Sequence, residues 1–98
     1  MAKSILQKDD RCIVCRSPLS LEEHHVFEGS RRQRSEKYGL KVKLCAFHHR
    51  FSNESIHLDP THRLEKDLKQ WAQRKAMEHY GWTVEDFIKI MGKNYLEE

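Results

Sequence analysis

The pattern of apolar and polar positions predicts two short strands in the first half of the chain. Residues 22–27 and 40–45 are short segments that tolerate β structure. The second segment alternates, with Leu40, Val42 and Leu44 on one side and lysines on the other. A period of two is typical of a strand with one buried face. The polar, arginine-rich stretch between them, residues 28–39, is expected to be a loop or an irregular turn.

The second half carries the clearest helix signal. Asp59 and Pro60 predict a helix start, because aspartate caps the first turn and proline fits its first position. Apolar residues then follow a period of 3.6 up to Tyr80, and Gly81 is expected to end the helix. The aromatic side chains of this half are expected in the core or at a docking surface: Trp71, Trp82, Phe87 and Tyr95.

Two shorter helical segments are also predicted. Thr83, with Asp86 three residues later, resembles a weak capping box and predicts a second helix that Gly92 ends. A further helical turn is expected to start near Ala46 and to carry the residues His48, His49 and Arg50. The two remaining histidines of the second half, His62 and His79, are expected at the surface.

The composition fits one small domain that contains a metal. A chain of 98 residues has a marginal core unless something staples it, and seven histidines with three cysteines suggest a metal ion. No apolar run approaches the roughly 18 residues of a membrane span, so no membrane partner is expected. Residues 1–10 lack the apolar stretch of a secretory signal. The odd cysteine count therefore favours metal-bound thiolates in a reducing cytoplasm.

The net charge of +3 is small, but its distribution is uneven. Between Gly29 and Phe51 the basic residues face a single acid, Glu36, whereas the stretch after His62 is balanced. Concentrated positive charge beside a metal site suits a nucleic-acid backbone, and a solvated basic loop gives the same pattern. The residues expected to contact a DNA backbone are Arg31, Arg32, Arg34, Lys37, Lys41, Lys43 and Arg50.

Two residue pairs have the spacing of a zinc site. Two residues separate Cys12 from Cys15, and two separate Cys45 from His48. A tight turn can aim both members of such a pair at one tetrahedral ion, and three cysteines with one histidine form a known structural zinc set. Residues 16–44 separate the pairs, far more than the roughly 12 of an ordinary DNA-reading finger. We therefore expect a structural Zn²⁺ in a different fold.

The segments EHHV (residues 23–26) and LCAFHH (residues 44–49) resemble the HNH endonuclease motif in its zinc-ribbon variety. The resemblance covers about residues 12–57. The run from HHVFEG through SEKYGL to LCAFHH is also similar to small HNH proteins encoded by bacteriophages and prophages. It implies an α+β fold in a single domain, 1–98. This domain has a zinc-stapled ββα-metal (His-Me finger) core at residues 12–57 and a helical extension at residues 59–98.

The resemblance also implies residue roles. In the family the first histidine of the pair, here His24, binds a catalytic divalent ion, and the second, here His25, is the general base. The residue after the last zinc ligand, here His49, is the other ligand of that ion. The helix phase decides whether His48 and His49 exchange these roles. His57 is expected either to contact a phosphate or the metal, or to be an exposed loop histidine.

One position departs from the family pattern. The middle asparagine of the motif corresponds to Leu40, and no asparagine occurs between the two histidine pairs. In the family this asparagine braces the loop that orients the general base. A residue of the segment 34–39, or a backbone group, would have to take over that task.

The function implied by the resemblance is that of a metal-dependent DNA endonuclease. It would hydrolyse phosphodiester bonds, using Mg²⁺, Mn²⁺, Ni²⁺ or Zn²⁺ beside the structural Zn²⁺. We expect nicking with weak sequence preference, because the long helix is charge-balanced and does not suit groove reading. The expected context is phage or prophage DNA processing in the cytoplasm, with a homodimer or a phage or recombination protein as partner. The alternatives are a catalytically silent zinc module that binds nucleic acid or protein, and a purely structural zinc protein.

Overall fold

Strands and helices combine as the sequence predicts for an α+β protein. The computed structural model describes residues 3–51 and 60–96, apart from the side chains of residues 50 and 51. Within these residues the strands are β1 (Leu21–His25) and β2 (Lys41–Cys45). The helices are α1 (Arg32–Lys37), α2 (Arg63–Tyr80) and α3 (Val84–Met91). A 3₁₀ turn at Gly29–Arg31 precedes α1, and a π-helical turn at Phe47–Phe51 follows β2.

The two strands form an antiparallel pair with two different faces. The register pairs Leu21 with Cys45 and His25 with Lys41, so the strands agree with the prediction to within two residues. Because successive side chains point to opposite sides, one face of the strand pair packs against the core and the other is mostly polar. We call the first the core face; it consists of Glu22, His24, Val42 and Leu44. We call the second the charged face; it consists of Leu21, Glu23, His25, Lys41, Lys43 and Cys45.

The prediction of a loop at residues 28–39 is wrong, because α1 forms there. The buried Ser35 explains part of this: its hydroxyl donates to the Leu40 carbonyl and accepts the backbone N–H of Phe27. These contacts reach outside the helix, so the local pattern does not reveal them. Gly39 then adopts a φ of +71°, which favours glycine, and returns the chain to β2.

The predicted start of the long helix is also wrong. Pro60 and Thr61 form a turn, and α2 begins at Arg63. The Thr61 hydroxyl accepts the backbone N–H of Arg63 (3.3 Å), and His62 precedes the helix in a left-handed conformation. Asp59, the predicted cap, lies outside the described residues. The helix therefore starts after the turn that the proline begins.

The other predicted helix ends are confirmed. Gly81 ends α2 in the left-handed conformation, and its N–H donates to the Met77 carbonyl. Thr83 and Asp86 form a complete reciprocal capping box at the start of α3. Gly92 ends α3 with a φ of +91°. Hydrogen bonding to Thr83 also lowers the pKa of the Asp86 carboxyl.

The C-terminal helices share one hydrophobic core with the strands. Phe27, just beyond β1, packs against Phe87 of α3 and against Tyr95, at centroid distances of 5.7 and 4.9 Å. Trp71 and Trp82 are partly buried against this core, as expected of docking aromatics. Within the described parts of the chain, no helix has the length and apolar character needed to cross a membrane.

Candidate metal centre and neighbouring histidines

Four predicted zinc ligands converge at the end of the strand pair. Cys12, Cys15, Cys45 and His48 offer donor atoms that all lie within 4.8 Å of one another. The Cys15 and Cys45 sulfurs are 3.7 Å apart, and His48 Nδ1 lies 3.3 Å from Cys45 Sγ. His48 Nδ1 also lies 3.8 Å from Cys12 Sγ. We call these four residues the thiol cluster.

The spacing inside the thiol cluster fits a tetrahedral ion. Two thiolates that bind one Zn²⁺ at about 2.3 Å lie about 3.8 Å apart, and a thiolate and an imidazole nitrogen lie about 3.5 Å apart. The sulfur–sulfur separation of 3.7 Å and the sulfur–nitrogen separations of 3.3 and 3.8 Å match these edges. The donor set and its geometry could therefore hold a metal ion.

The backbone around the first pair explains how the cluster forms. Arg16 adopts a positive φ of 67°, and its N–H donates to the Cys12 carbonyl, which closes a tight turn. The N–H of Ile13 donates to the Lys43 carbonyl (2.8 Å), so this turn is attached to β2. Since β2 ends at Cys45, the same strand carries the second pair to the first.

The electrostatics of the thiol cluster favour a bound cation. Burial opposes ionisation of Cys12, but backbone N–H groups of Cys15, Cys45 and Val14 outweigh it and lower its pKa to about 6. Burial raises the pKa of Cys45, and the neighbouring thiols raise it further. One thiolate therefore forms easily, whereas further ionisation in the same small space needs a positive charge. A bound divalent ion would supply that charge and displace the remaining protons.

On the core face, His24 and His49 meet. Their ring centroids are 5.4 Å apart, and the rings are inclined by 65°. His49 Nδ1 lies 2.7 Å from a carboxylate oxygen of Glu22, and His24 Nδ1 lies 3.5 Å from one of Glu28. His24 is only 2% exposed. We call His24 and His49 the histidine pair.

The histidine pair has the spacing of two ligands on one ion. An imidazole that binds a metal at about 2.0 Å has its centroid roughly 3 Å from the ion, so two such rings have centroids about 5 Å apart. A carboxylate oxygen lies near Nδ1 of each ring, an arrangement that is common for metal-binding histidines. The three-donor clusters found among the described residues do not include this pair. His57, a predicted contributor, lies outside the described residues.

His25 lies on the charged face, opposite the histidine pair. Its Nε2 is 3.1 Å from a carboxylate oxygen of Glu36, and the other oxygen of Glu36 accepts from Lys41 Nζ at 2.7 Å. Lys41 Nζ also lies 3.6 Å from Glu23. We call these residues the histidine–carboxylate cluster: Glu23, His25, Glu36 and Lys41. The donor atoms of its first three members lie within 4.8 Å of one another.

The histidine–carboxylate cluster contains its own cation. The hydrogen bond from Lys41 and then that from His25 lower the pKa of Glu36 to about 2. The bond to Glu36 raises the pKa of Lys41, although burial acts in the opposite direction. Glu36 is therefore ionised at neutral pH, and Lys41 balances its charge.

The predicted DNA-binding residues fall into several groups. Arg32, Arg34 and Lys37 are exposed on α1. Arg31 turns inward and donates from Nε to the Met91 carbonyl (2.7 Å), and Lys41 is 6% exposed within its ion pairs. Of the two remaining residues, Lys43 forms an ion pair with Asp10, and the side chain of Arg50 lies outside the described residues. Among the predicted DNA-binding residues, those exposed at the surface are thus mainly the ones on α1.

An open cavity of about 630 Å³ adjoins the charged face. It lies between the N-terminal segment and β2, and its lining includes Lys3, Lys8, Glu23 and Lys43. The mixed charges give it no clear preference for an anionic or a cationic ligand. His62 and His79 are exposed, as predicted.

The sequence interpretation missed three acidic partners of the histidines. Glu22 lies two residues before His24, so strand alternation could have placed both on one face. Glu36 is the single acid in the basic stretch, which marked it as unusual but did not indicate its partner. Glu28 lies just beyond β1, and its position beside His24 depends on the turn that follows. Comparison with protein-family models, curated proteins and solved structures finds no match for this chain.

Proposed function

We propose that this chain is a metal-dependent HNH-type DNA endonuclease that nicks DNA with weak sequence preference, in phage or prophage DNA processing. The observation that carries the proposal is the meeting of His24 and His49 at 5.4 Å. They are the two residues that the HNH resemblance assigns to the catalytic ion, and they come from separate segments. A carboxylate beside each ring adds support, because such carboxylates commonly orient metal-binding histidines.

The thiol cluster supplies the structural part of the proposed enzyme. Its donor set and spacing suit Zn²⁺, which would hold the N-terminal turn, the end of β2 and the π-helical turn together. The π-helical turn carries His49, and β2 pairs with β1, the strand that carries His24 and His25. The zinc would thereby keep the elements of the ββα-metal arrangement in position.

The proposed reaction is hydrolysis of a phosphodiester bond. His25 accepts a proton from water as the water oxygen attacks phosphorus, and the bond from phosphorus to the 3′ oxygen breaks. Solvent protonates that oxygen, so the products carry a 5′-phosphate and a 3′-hydroxyl. His24 and His49 would hold a divalent ion, which would supply Lewis-acid stabilisation of the negative charge when bound. Arg32, Arg34 and Lys37 of α1 hold the backbone through contacts independent of sequence.

A plasmid assay tests the proposal. Zinc-loaded protein is incubated with supercoiled plasmid and Mg²⁺, Mn²⁺ or Ni²⁺, and the nicked form is quantified. We expect nicking by the wild type and a loss of on the order of 10²-fold or more in His25→Ala, the usual contribution of a general base. His79→Ala is the matched control, because His79 is exposed on α2. An intact plasmid with every ion would contradict the proposal for this substrate.

One observation favours the alternative of a catalytically silent zinc module. His24 and His25 occupy opposite faces of the strand pair, so the proposed base and the proposed ligands do not share a face. A silent module would bind DNA in a salt-dependent way through α1 and would cleave with none of the ions. Salt-dependent DNA binding by the wild type, together with a plasmid that the wild type leaves uncut with every ion, would establish this second function.

A further inference from the structure

The departure from the HNH motif raises the question of what orients His25. Leu40, at the position of the motif asparagine, is fully buried, and its carbonyl accepts hydrogen bonds from Val26 N–H and from Ser35. Leu40 therefore belongs to the core and has no polar group facing His25. The side chain that meets His25 Nε2 is that of Glu36, at 3.1 Å.

The position of Glu36 is itself constrained. One carboxylate oxygen faces His25 Nε2, and the other accepts from Lys41 Nζ at 2.7 Å. Lys41 is buried on β2 directly opposite His25 in the strand register. Three elements, β1, α1 and β2, thus contribute one residue each to a chain from imidazole to carboxylate to ammonium. A pKa of about 2 keeps Glu36 ionised, and an ionised carboxylate only accepts hydrogen bonds.

We propose that Glu36 is a positioning residue for His25, which holds the imidazole proton on Nε2 and leaves Nδ1 to accept the proton of the attacking water. The inference rests on the proposed nuclease function. Lys41 contributes indirectly, because it donates a hydrogen bond to the second oxygen of Glu36 and so keeps the carboxylate from rotating away from His25. The proton relations are those of a histidine–carboxylate dyad, in which the carboxylate determines the imidazole tautomer.

Lys41 makes the substitution Glu36→Gln informative. An ammonium needs an acceptor, so Lys41 takes the amide oxygen of glutamine, and the amide NH₂ then faces His25 Nε2. The NH₂ group donates, so Nε2 must accept and the imidazole proton moves to Nδ1. Glu36→Gln therefore inverts the tautomer, whereas Glu36→Asp retains a carboxylate and the wild-type tautomer.

The first test reads the tautomer directly and does not depend on cleavage. Long-range ¹H–¹⁵N spectra of zinc-loaded protein, with His25→Ala used to assign the signals, show which imidazole nitrogen carries the proton. We expect an Nε2–H form in the wild type and in Glu36→Asp, and an Nδ1–H form in Glu36→Gln. An Nδ1–H form in the wild type, or the same tautomer in all three proteins, would overturn the inference.

The second test measures nicking by the same proteins. We expect Glu36→Gln to lower kcat on the order of 10²-fold and to leave KM nearly unchanged, because it disables the base and not substrate binding. Glu36→Asp should recover most of kcat, which a merely structural role of the side chain would not predict. Glu78→Gln, an exposed charge on α2, is the matched control.

The two tests separate the possible failures. If the wild type does not nick DNA, the proposed function fails, and the spectra still decide whether Glu36 sets the tautomer. If the wild type nicks, His25→Ala is inactive and Glu36→Gln retains full kcat, the positioning role fails and the nuclease function stands. Zinc content equal to that of the wild type shows that each variant has folded.

Discussion

The thiol cluster and the histidine–carboxylate cluster occupy different ends of the same strand pair and balance charge in different ways. In the first, the donor atoms of three thiols and one imidazole lie within 4.8 Å of one another, and three of these separations are 3.3 to 3.8 Å. In the second, Lys41 lies between two carboxylates, 2.7 Å from Glu36 and 3.6 Å from Glu23. The first needs a metal ion to become fully ionised, whereas the second contains its own ammonium.

This difference shows that potential metal ligands in a small protein must be judged by the charges around them as well as by their spacing. Both clusters bring three or more donors within 4.8 Å, so distance alone does not separate them. The neighbouring charges do, since in the second cluster the ammonium of Lys41 lies within 4 Å of both carboxylates and balances one of them. We therefore expect the thiol cluster to determine folding, and the histidine–carboxylate cluster to determine the orientation of His25.

The largest expected effect comes from the thiol cluster. Removal of zinc by a chelator, or Cys15→Ser, should abolish cooperative unfolding. A structural zinc site is worth about 10–16 kcal/mol, more than the margin of a small domain. Circular dichroism during heating, with zinc content measured in parallel, tests this. Val14→Ala, between the two cysteines of the same turn, should leave zinc and cooperativity intact. A cooperative transition in the zinc-free protein would contradict this role of the cluster.

The next effect concerns the turn that joins α1 to β2 beside the histidine–carboxylate cluster. Gly39→Ala should destabilise the protein by about 3 kcal/mol, because alanine there is strained and its Cβ would meet the Lys3 carbonyl. Gly29→Ala is the matched control, since Gly29 has a similar φ with open space around it, and should cost about 1 kcal/mol. Chemical denaturation measures both. Equal costs would show that the contact with Lys3 is absent.

A smaller effect is expected at the histidine pair, between the two clusters. Glu22→Gln weakens the partner of His49 Nδ1 and should reduce the affinity of the pair for Mn²⁺ or Ni²⁺ by about 10- to 100-fold. The zinc of the thiol cluster should remain. Calorimetric titration of zinc-loaded protein measures the second ion, with Glu78→Gln as control. An unchanged affinity for Mn²⁺ or Ni²⁺ would show that Glu22 does not contribute to metal binding by the histidine pair.

The smallest effect is a pH dependence of stability. The folded pKa of Glu36 is about 2, below its ordinary value of 4.5, because Lys41 and His25 bond to the ionised form. Its contribution is therefore fully present above about pH 4.5 and is lost as the pH falls towards 2. The difference in denaturation midpoint between wild type and Glu36→Gln should shrink over this range. A constant difference would contradict the assigned pairing.

Local patterns predicted part of the fold correctly. Alternation in residues 40–45 predicted β2, and the cap of Thr83 with Asp86 predicted the start of α3. Helix α1 was missed because Ser35 is held by contacts to residues outside the helix. The start of α2 was misplaced because the preceding turn uses Thr61 as its hydrogen-bond acceptor. Short elements that depend on distant partners leave weak local signals.

The sequence by itself determined the thiol cluster, because its information is local. Two pairs with two-residue spacing each needed only a tight turn, and one strand brought the pairs together. The tertiary structure alone decided which histidine joins which group: His48 faces the thiols, whereas His49 faces His24. It also brought Glu36 to His25, because Glu36 lies on α1, the helix that the pattern did not predict. Spacing specifies contacts within a turn, but contacts between elements depend on how those elements pack.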